Sequence, residues 1–259
     1  MRSDMADLSY LMADKFYSRH ITQAYACNFP QTQEFHVPSS KDSADQGLQK
    51  SSRSDMVDLN RLYARPTERI QNAVLDHLMD FHKEYLAKAT FFCLATGDGN
   101  GLDASPRGGP PGFVRVLDAR TLAFADWPGN NRIASLRNLQ NDDRLAMLFL
   151  FPGLETFLRI NGRGRVSSDG DLMQELRAGI KLPKTAIVIR IDEVLFHCGR
   201  AINRARLWCG ESHLDPNHLP TVGEVMAGLA QLQGDAQLTS EQIVHANERY
   251  SRAVRTELY

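Results

Sequence analysis

Two segments of the chain combine residue types that suit an anion. ASPRGGPPGFVRV, residues 104–116, sets Ser105 and Arg107 ahead of Gly108, Gly109, Pro110, Pro111 and Gly112. Glycines let the main chain approach a ligand closely, prolines stiffen it, and a guanidinium offers a fork of donors matched to phosphate oxygens. The segment reads as neither helix nor regular ladder; a structural loop in which Arg107 pairs with a carboxylate is the competing reading. The second segment, ADWPGNNRIASLRN at residues 125–138, runs from a strand end through Pro128 and Gly129 into Asn130, Asn131 and Arg132 at a predicted helix start. First-turn N–H groups lack intrahelical partners and the helix dipole is positive there, so an anion is favoured and the Asn and Arg side chains add donors. Asn130 equally suits a plain helix cap.

A third segment, FHCGRAINRARLW at residues 196–208, gathers Arg200, Arg204 and Arg206 with His197, Cys198 and Trp208. Its arginines suit an anionic substrate and Trp208 suits stacking on a flat ring, while His197, Cys198 and Trp208 serve equally well as packing residues. No nucleophile–base pair is visible. Cys27, Cys93, Cys198 and Cys209 form no CxxC pair and have no histidines at zinc-finger spacing, which argues against zinc and against a disulfide framework.

The elements that must position these residues can be read from apolar spacing. Pro66 suits a first helical turn, and Ile70, Ala73, Val74, His77, Leu78, Phe81 and Tyr85 then recur at three- and four-residue intervals, predicting one amphipathic helix. FFCLAT (91–96) followed by GDGNG predicts a strand and hairpin turn. FVRVL (113–117), TLAFAD (121–126), RLAMLFLF (144–151), ETFLRINGRGRVSS (155–168) and TAIVIRIDEVLFHCG (185–199) read as further strands, with Gly162 and Gly164 permitting a bulge. NRIASLRNL (131–139) reads as the one intervening helix, and 219–232 and 239–258 as closing helices, the last capped near Thr239. About six short strands without a helix after each predict a mainly β chain with flanking helices, an α+β antiparallel barrel. The expected organisation is a flexible N-terminal extension over 1–55, with a short helix around Leu8 to Tyr17, a barrel domain over 56–218 and a helical segment over 219–259.

Composition narrows the partners. The 259 residues carry a net charge of −1, which disfavours a broad nucleic-acid surface but permits a few arginines around one small phosphorylated ligand. The N-terminus has no apolar core of a secretory signal, and no run of about 18 apolar residues occurs, so the expectation is a cytoplasmic chain with no membrane partner.

The series SPRGGPPGFVRVLD, LAFADWPGNNRIASLRN, RLAMLFLFPG, LRINGRGRVS and FHCGRAINRARLW, in that order within residues 59–228, resembles an FMN-dependent subgroup of the pyridoxamine 5'-phosphate oxidase-like superfamily. The resemblance implies an FMN-binding split β-barrel, a homodimer with flavin at its interface, and oxidoreductase activity on an unidentified small molecule, with a nicotinamide cofactor or oxygen closing the cycle. It implies that Ser105, Arg107, Asn130, Asn131 and Arg132 surround the flavin phosphate, that Arg200, Arg204 and Arg206 approach an anionic substrate or the flavin from a partner subunit, and that Trp208 stacks on a flat ring. The chain departs from the pattern at Ala125 and Asp126, where better-known oxidases have an aromatic residue and a threonine, at Arg200, usually lysine, and at Ala205, usually serine. Asp126 beside a phosphate is unfavourable unless it turns away or pairs with an arginine. Two alternatives stay open. One is a non-catalytic flavin- or haem-binding barrel, for which His197 is the residue to watch; the other is pyridoxamine 5'-phosphate oxidation proper, whose C-terminal arginine-and-histidine pattern is not recognisable.

Overall fold

The computed structural model describes residues 57–127 and 129–259; the expectations for the N-terminal extension and its short helix lie outside the described residues. Leu59–Tyr259 forms one compact unit. Its helices are α1 (Leu59–Leu62), α2 (Glu68–Gln71), α3 (Asp80–Lys88), α4 (Ala134–Asn141), α5 (Gly170–Glu175), α6 (Arg200–Ala205), α7 (Val222–Leu232) and α8 (Ser240–Thr256). Its strands are β1 (Phe91–Asp98), β2 (Gly101–Gly108), β3 (Val114–Asp118), β4 (Thr121–Asp126), β5 (Arg144–Leu150), β6 (Thr156–Ser167) and β7 (Thr185–Cys198). All pair antiparallel in one sheet of order β2-β1-β5-β6-β7-β4-β3, with β2 and β3 at its two edges.

Alternation of apolar residues explains why these segments are strands and which face turns inward. Phe92 and Leu94 of β1, Met147 and Phe149 of β5, Leu158 and Ile160 of β6, Ile187 and Ile189 of β7, and Leu122 and Phe124 of β4 are all buried in one core. Phe92 sits at its centre, with ring centroids 4.9 Å from Phe149, 5.1 Å from Phe124 and 5.6 Å from Phe113. Burying a side chain of this size contributes about 1.5–3 kcal/mol, so this cluster fixes the curvature of the sheet. The predicted bulge falls between Asn161 and Gly162 of β6. A Cβ at position 162 would collide with the Arg190 carbonyl oxygen, so only glycine allows β6 and β7 to approach there.

The structure corrects several sequence expectations. Residues 104–108 are not a loop: β2 pairs along its whole length with β1, Ser105 opposite Leu94 and Arg107 opposite Phe92. Pro106 is tolerated because β2 is an edge strand, where a missing N–H costs no ladder bond on the open side. The loop proper begins at Gly109 and closes in a turn in which the Phe113 N–H donates to the Pro110 carbonyl (3.0 Å) with Gly112 at φ 84°, the conformation a type II turn demands of its third residue.

The single helix expected from Pro66 is broken into α2 and α3. Between them Leu75 exchanges both backbone hydrogen bonds with Val194 (3.0 and 2.7 Å), and the Leu78 N–H donates to the Ala119 carbonyl (2.7 Å). Those tertiary bonds override the helical spacing. Seven strands, rather than about six, make the sheet, and α5 and α6 were not anticipated. Cys93 and Cys198 are free thiols.

Candidate functional site

Because side chains alternate along a strand, Asp103, Ser105 and Arg107 all project from one face of β2. That face meets the first turn of α4, where Ser135 is buried. Ser135 Oγ donates to Asp103 Oδ2 (2.8 Å), lies 3.0 Å from Ser105 Oγ and accepts from Arg107 Nη2 (3.2 Å). Arg107 Nη1 donates to the Pro106 carbonyl (3.1 Å), and its Nε is buried without a hydrogen-bond partner. A guanidinium held by one hydroxyl and one carbonyl, with an orphaned N–H, has donor capacity left for an anion.

The start of α4 adds to this. Its N-cap is Ile133, in the left-handed region at φ 43°, and no side chain caps the helix. The first-turn N–H groups therefore lack the usual side-chain acceptor, which favours an anion there. Asn130 does not cap α4 as one sequence reading had it: its Oδ1 accepts from the Arg132 N–H (3.0 Å) in a local turn, and Asn131 takes φ 58°. Asn130, Asn131 and Arg132 are exposed and immediately precede the turn that carries Ser135. The link between the two predicted segments that the structure displays runs through Ser135, a residue the sequence reading passed over. The signal available for it was slight, one hydroxyl on the inner spacing of a short helix; the alternation Asp103, Ser105, Arg107 was the plainer clue.

Beside this cluster lies a cleft of about 310 Å³ lined by Arg107, the 108–113 loop, Arg115, Asp126, Trp127, Arg177 and the last two residues, Leu258 and Tyr259. Tyr259 packs edge-on against Trp127 (5.0 Å between centroids), and its carbonyl accepts from Lys181 Nζ (2.6 Å). Burial pushes the Asp126 carboxyl above its ordinary range, and the positive charge of Arg107 opposes that shift. Asp126 thus stands near Arg107, and with Asp103 it is a second carboxylate that an anion would have to tolerate. The residues otherwise fit a phosphate group: one free-reaching arginine, two hydroxyls and an uncapped helix start.

Arg204 and Trp208 lie elsewhere in the chain order of the sheet, after β7, with β1, β5 and β6 between it and β2. Arg204 is exposed on α6. Trp208 is 37% exposed, and its Nε1–H donates to the Leu154 carbonyl (2.9 Å), so the indole is anchored locally while part of its ring stays open. Among the described residues no group of three or more His, Cys, Asp or Glu is arranged to hold a metal ion, and no helix is long and apolar enough to cross a membrane.

Comparison with known proteins bears on what this arrangement belongs to. No curated protein matches the chain. Similar solved structures include HupZ from Group A Streptococcus (16% identity, covering 45% of this chain and 91% of that one, TM-score 0.37) and General Stress Protein 26 from Bacillus anthracis (12% identity, 44% and 88%, TM-score 0.35). An FMN-binding protein from Syntrophomonas wolfei is also similar (16% identity, 45% and 88%, TM-score 0.34). The family model of pyridoxamine 5'-phosphate oxidase matches residues 78–198, a span that contains all seven strands. Residues 78–198, just under half of the chain, thus resemble the pyridoxamine 5'-phosphate oxidase family, and the seven-stranded antiparallel sheet with flanking helices is a split barrel of the kind that resemblance implies.

Proposed function

We propose that the protein is an FMN-dependent oxidoreductase acting on a small molecule in the cytoplasm, with two chains sharing two flavin sites. The observation that carries this reading is the meeting of Ser105, Arg107 and Ser135 at the uncapped start of α4. In this reading Arg107 and the two hydroxyls hold the flavin phosphate, and Asn130, Asn131 and Arg132 close over it from the adjoining turn. Arg204 and the open part of the Trp208 ring reach the flavin bound to the second copy. Bound flavin supplies hydride acceptance at N5, and a nicotinamide cofactor or oxygen closes the cycle. The chain's own residues bind and orient; no acid–base pair is required of them.

A second copy has a surface to meet. The outward row of the sheet runs from Cys93 and Ala95 of β1 through Ala146, Leu148 and Leu150 of β5 to Phe157 of β6 and Leu195 of β7. Leu148 at its centre is 37% exposed, and it is the contiguity of the row, not that one residue, that offers a second copy a surface to cover. The test of the flavin reading is direct. Purified protein mixed with FMN and passed through gel filtration should retain the yellow cofactor with its visible absorption bands, and protein that emerges colourless overturns the assignment. Consumption of reduced nicotinamide by the loaded protein, followed photometrically, tests the reductase arm.

A further inference from the structure

Leu258 and Tyr259 line the cleft beside the phosphate cluster although they follow the last helix. One wall of that cleft is the turn after α5, in which Ala178 and Lys181 exchange both backbone hydrogen bonds (3.0 Å each) around Gly179 at φ 58°. Arg177 and Ala178 of this wall face the cleft, and Lys181 Nζ donates to the Tyr259 carbonyl (2.6 Å). The other wall is the end of β4, where Trp127 takes the Tyr259 ring edge-on at 5.0 Å between centroids. Tyr259 is thus clasped from both sides. Behind it, α8 packs on α7 through its first half, where Gly223 lies against Ile243 and its N–H donates to Asn247 Oδ1 (2.7 Å); farther along α8, Tyr250 and Val254 stay half exposed. The clasp therefore fastens a lightly packed helix end to the barrel. One aromatic pair and one hydrogen bond from an exposed lysine are individually weak, which makes the segment releasable.

We propose that Leu258 and Tyr259 form an autoinhibitory strap, which bars FMN from the cleft while Tyr259 holds Trp127 and Lys181, and which FMN must displace to bind. The proposal rests on the flavin reading above and adds a regulation to that site. With the strap in place the cleft measures about 310 Å³, the low end for pockets that enclose a ligand of drug size, and FMN adds a three-ring system and a ribityl chain to the phosphate held at Arg107. The strap also engages Trp127, which opens the stretch leading to Asn130, Asn131 and Arg132, so the clasp and the bound flavin draw on the same segment of chain. Only molecules with the strap open take the cofactor, and the apparent affinity falls in proportion to their fraction. By linkage, bound FMN favours the open strap by the same factor as an open strap favours FMN.

The experiment is fluorescence titration of the full chain with FMN, in native protein, Tyr259→Ala and Lys181→Met, with amide deuterium uptake along 250–256 recorded before and after loading. Tyr259→Ala removes the aromatic pair and should bind FMN about two- to tenfold more tightly, the factor that corresponds to such a pair. Lys181→Met, which breaks the clasp from the other wall, should shift the affinity the same way. Uptake along 250–256 should rise when native protein is loaded and should already be high in unloaded Tyr259→Ala. FMN bound with equal affinity by native protein and Tyr259→Ala overturns the strap and leaves the flavin reading standing. Weaker binding by Tyr259→Ala overturns it too, by making Tyr259 a wall on which the ligand packs, as does uptake along 250–256 that falls on loading native protein. No FMN bound by native protein or by either variant overturns the flavin reading and the strap with it.

Discussion

Ser135 Oγ touches Ser105, Arg107 and Asp103 at once, so its removal loosens the cluster without removing the charge. Ser135→Ala should weaken FMN binding by about 0.5–1.5 kcal/mol, the range for a neutral hydrogen bond, and Arg107→Ala by about 1.5–3 kcal/mol; fluorescence titration of flavin reads both, and unchanged affinity in the arginine variant defeats the phosphate assignment. Asp126 gives a pH test. Its carboxyl is raised by burial, so the fold disfavours the ionised form. The stability this group contributes is present below its unfolded value near 3.9 and is lost as pH rises through the folded value. Asp126→Asn should therefore raise the melting temperature at pH 7 and leave it unchanged near pH 3, and thermal unfolding at the two pH values checks this. Ser105 and Arg107 were legible in the sequence because they stand beside an unusual run of glycine and proline. Ser135 was not, because a hydroxyl in a short helix acquires meaning only from neighbours distant in sequence.

Among the elements, those with strong alternation were read correctly, and the rest failed for definable reasons. β4 and β7 begin and end close to where their apolar runs predict. β2 was missed because Pro106 and its glycines break a strand anywhere except at an edge, and edge position is a property of the sheet rather than of the segment. The helix predicted from Pro66 was lost to the Leu75–Val194 pairing. At the start of α3, His82 is buried and its Nδ1 accepts from the Met79 N–H (3.1 Å), and burial lowers its pKa to about 4. A folded value below the unfolded one near 6.5 contributes stability that is full above 6.5 and lost as pH falls toward 4. The melting temperature should drop across that window, and His82→Gln, which keeps an acceptor that does not titrate, should flatten the drop. Gly162→Ala should cost about 1–3 kcal/mol in denaturant unfolding, because the added methyl meets backbone of β7.

For the molecule as a whole, the outward apolar row predicts association. Light scattering should give a mass near twice 29.1 kDa, and Leu148→Asp should shift it toward a single chain; a native mass equal to one chain removes the dimer from the proposal. The position of β2 has a further consequence. The strand that carries Ser105 and Arg107 is tied to the sheet through β1 alone. The phosphate cluster therefore rests partly on the least anchored margin of the sheet, and a ligand joining β2 to α4 would act as a missing neighbour. Amide deuterium uptake along 101–108 should run faster than in β5 and β6 before loading and slow sharply once the anion is in place, so that occupancy is felt as stiffness in a strand the rest of the barrel leaves loose.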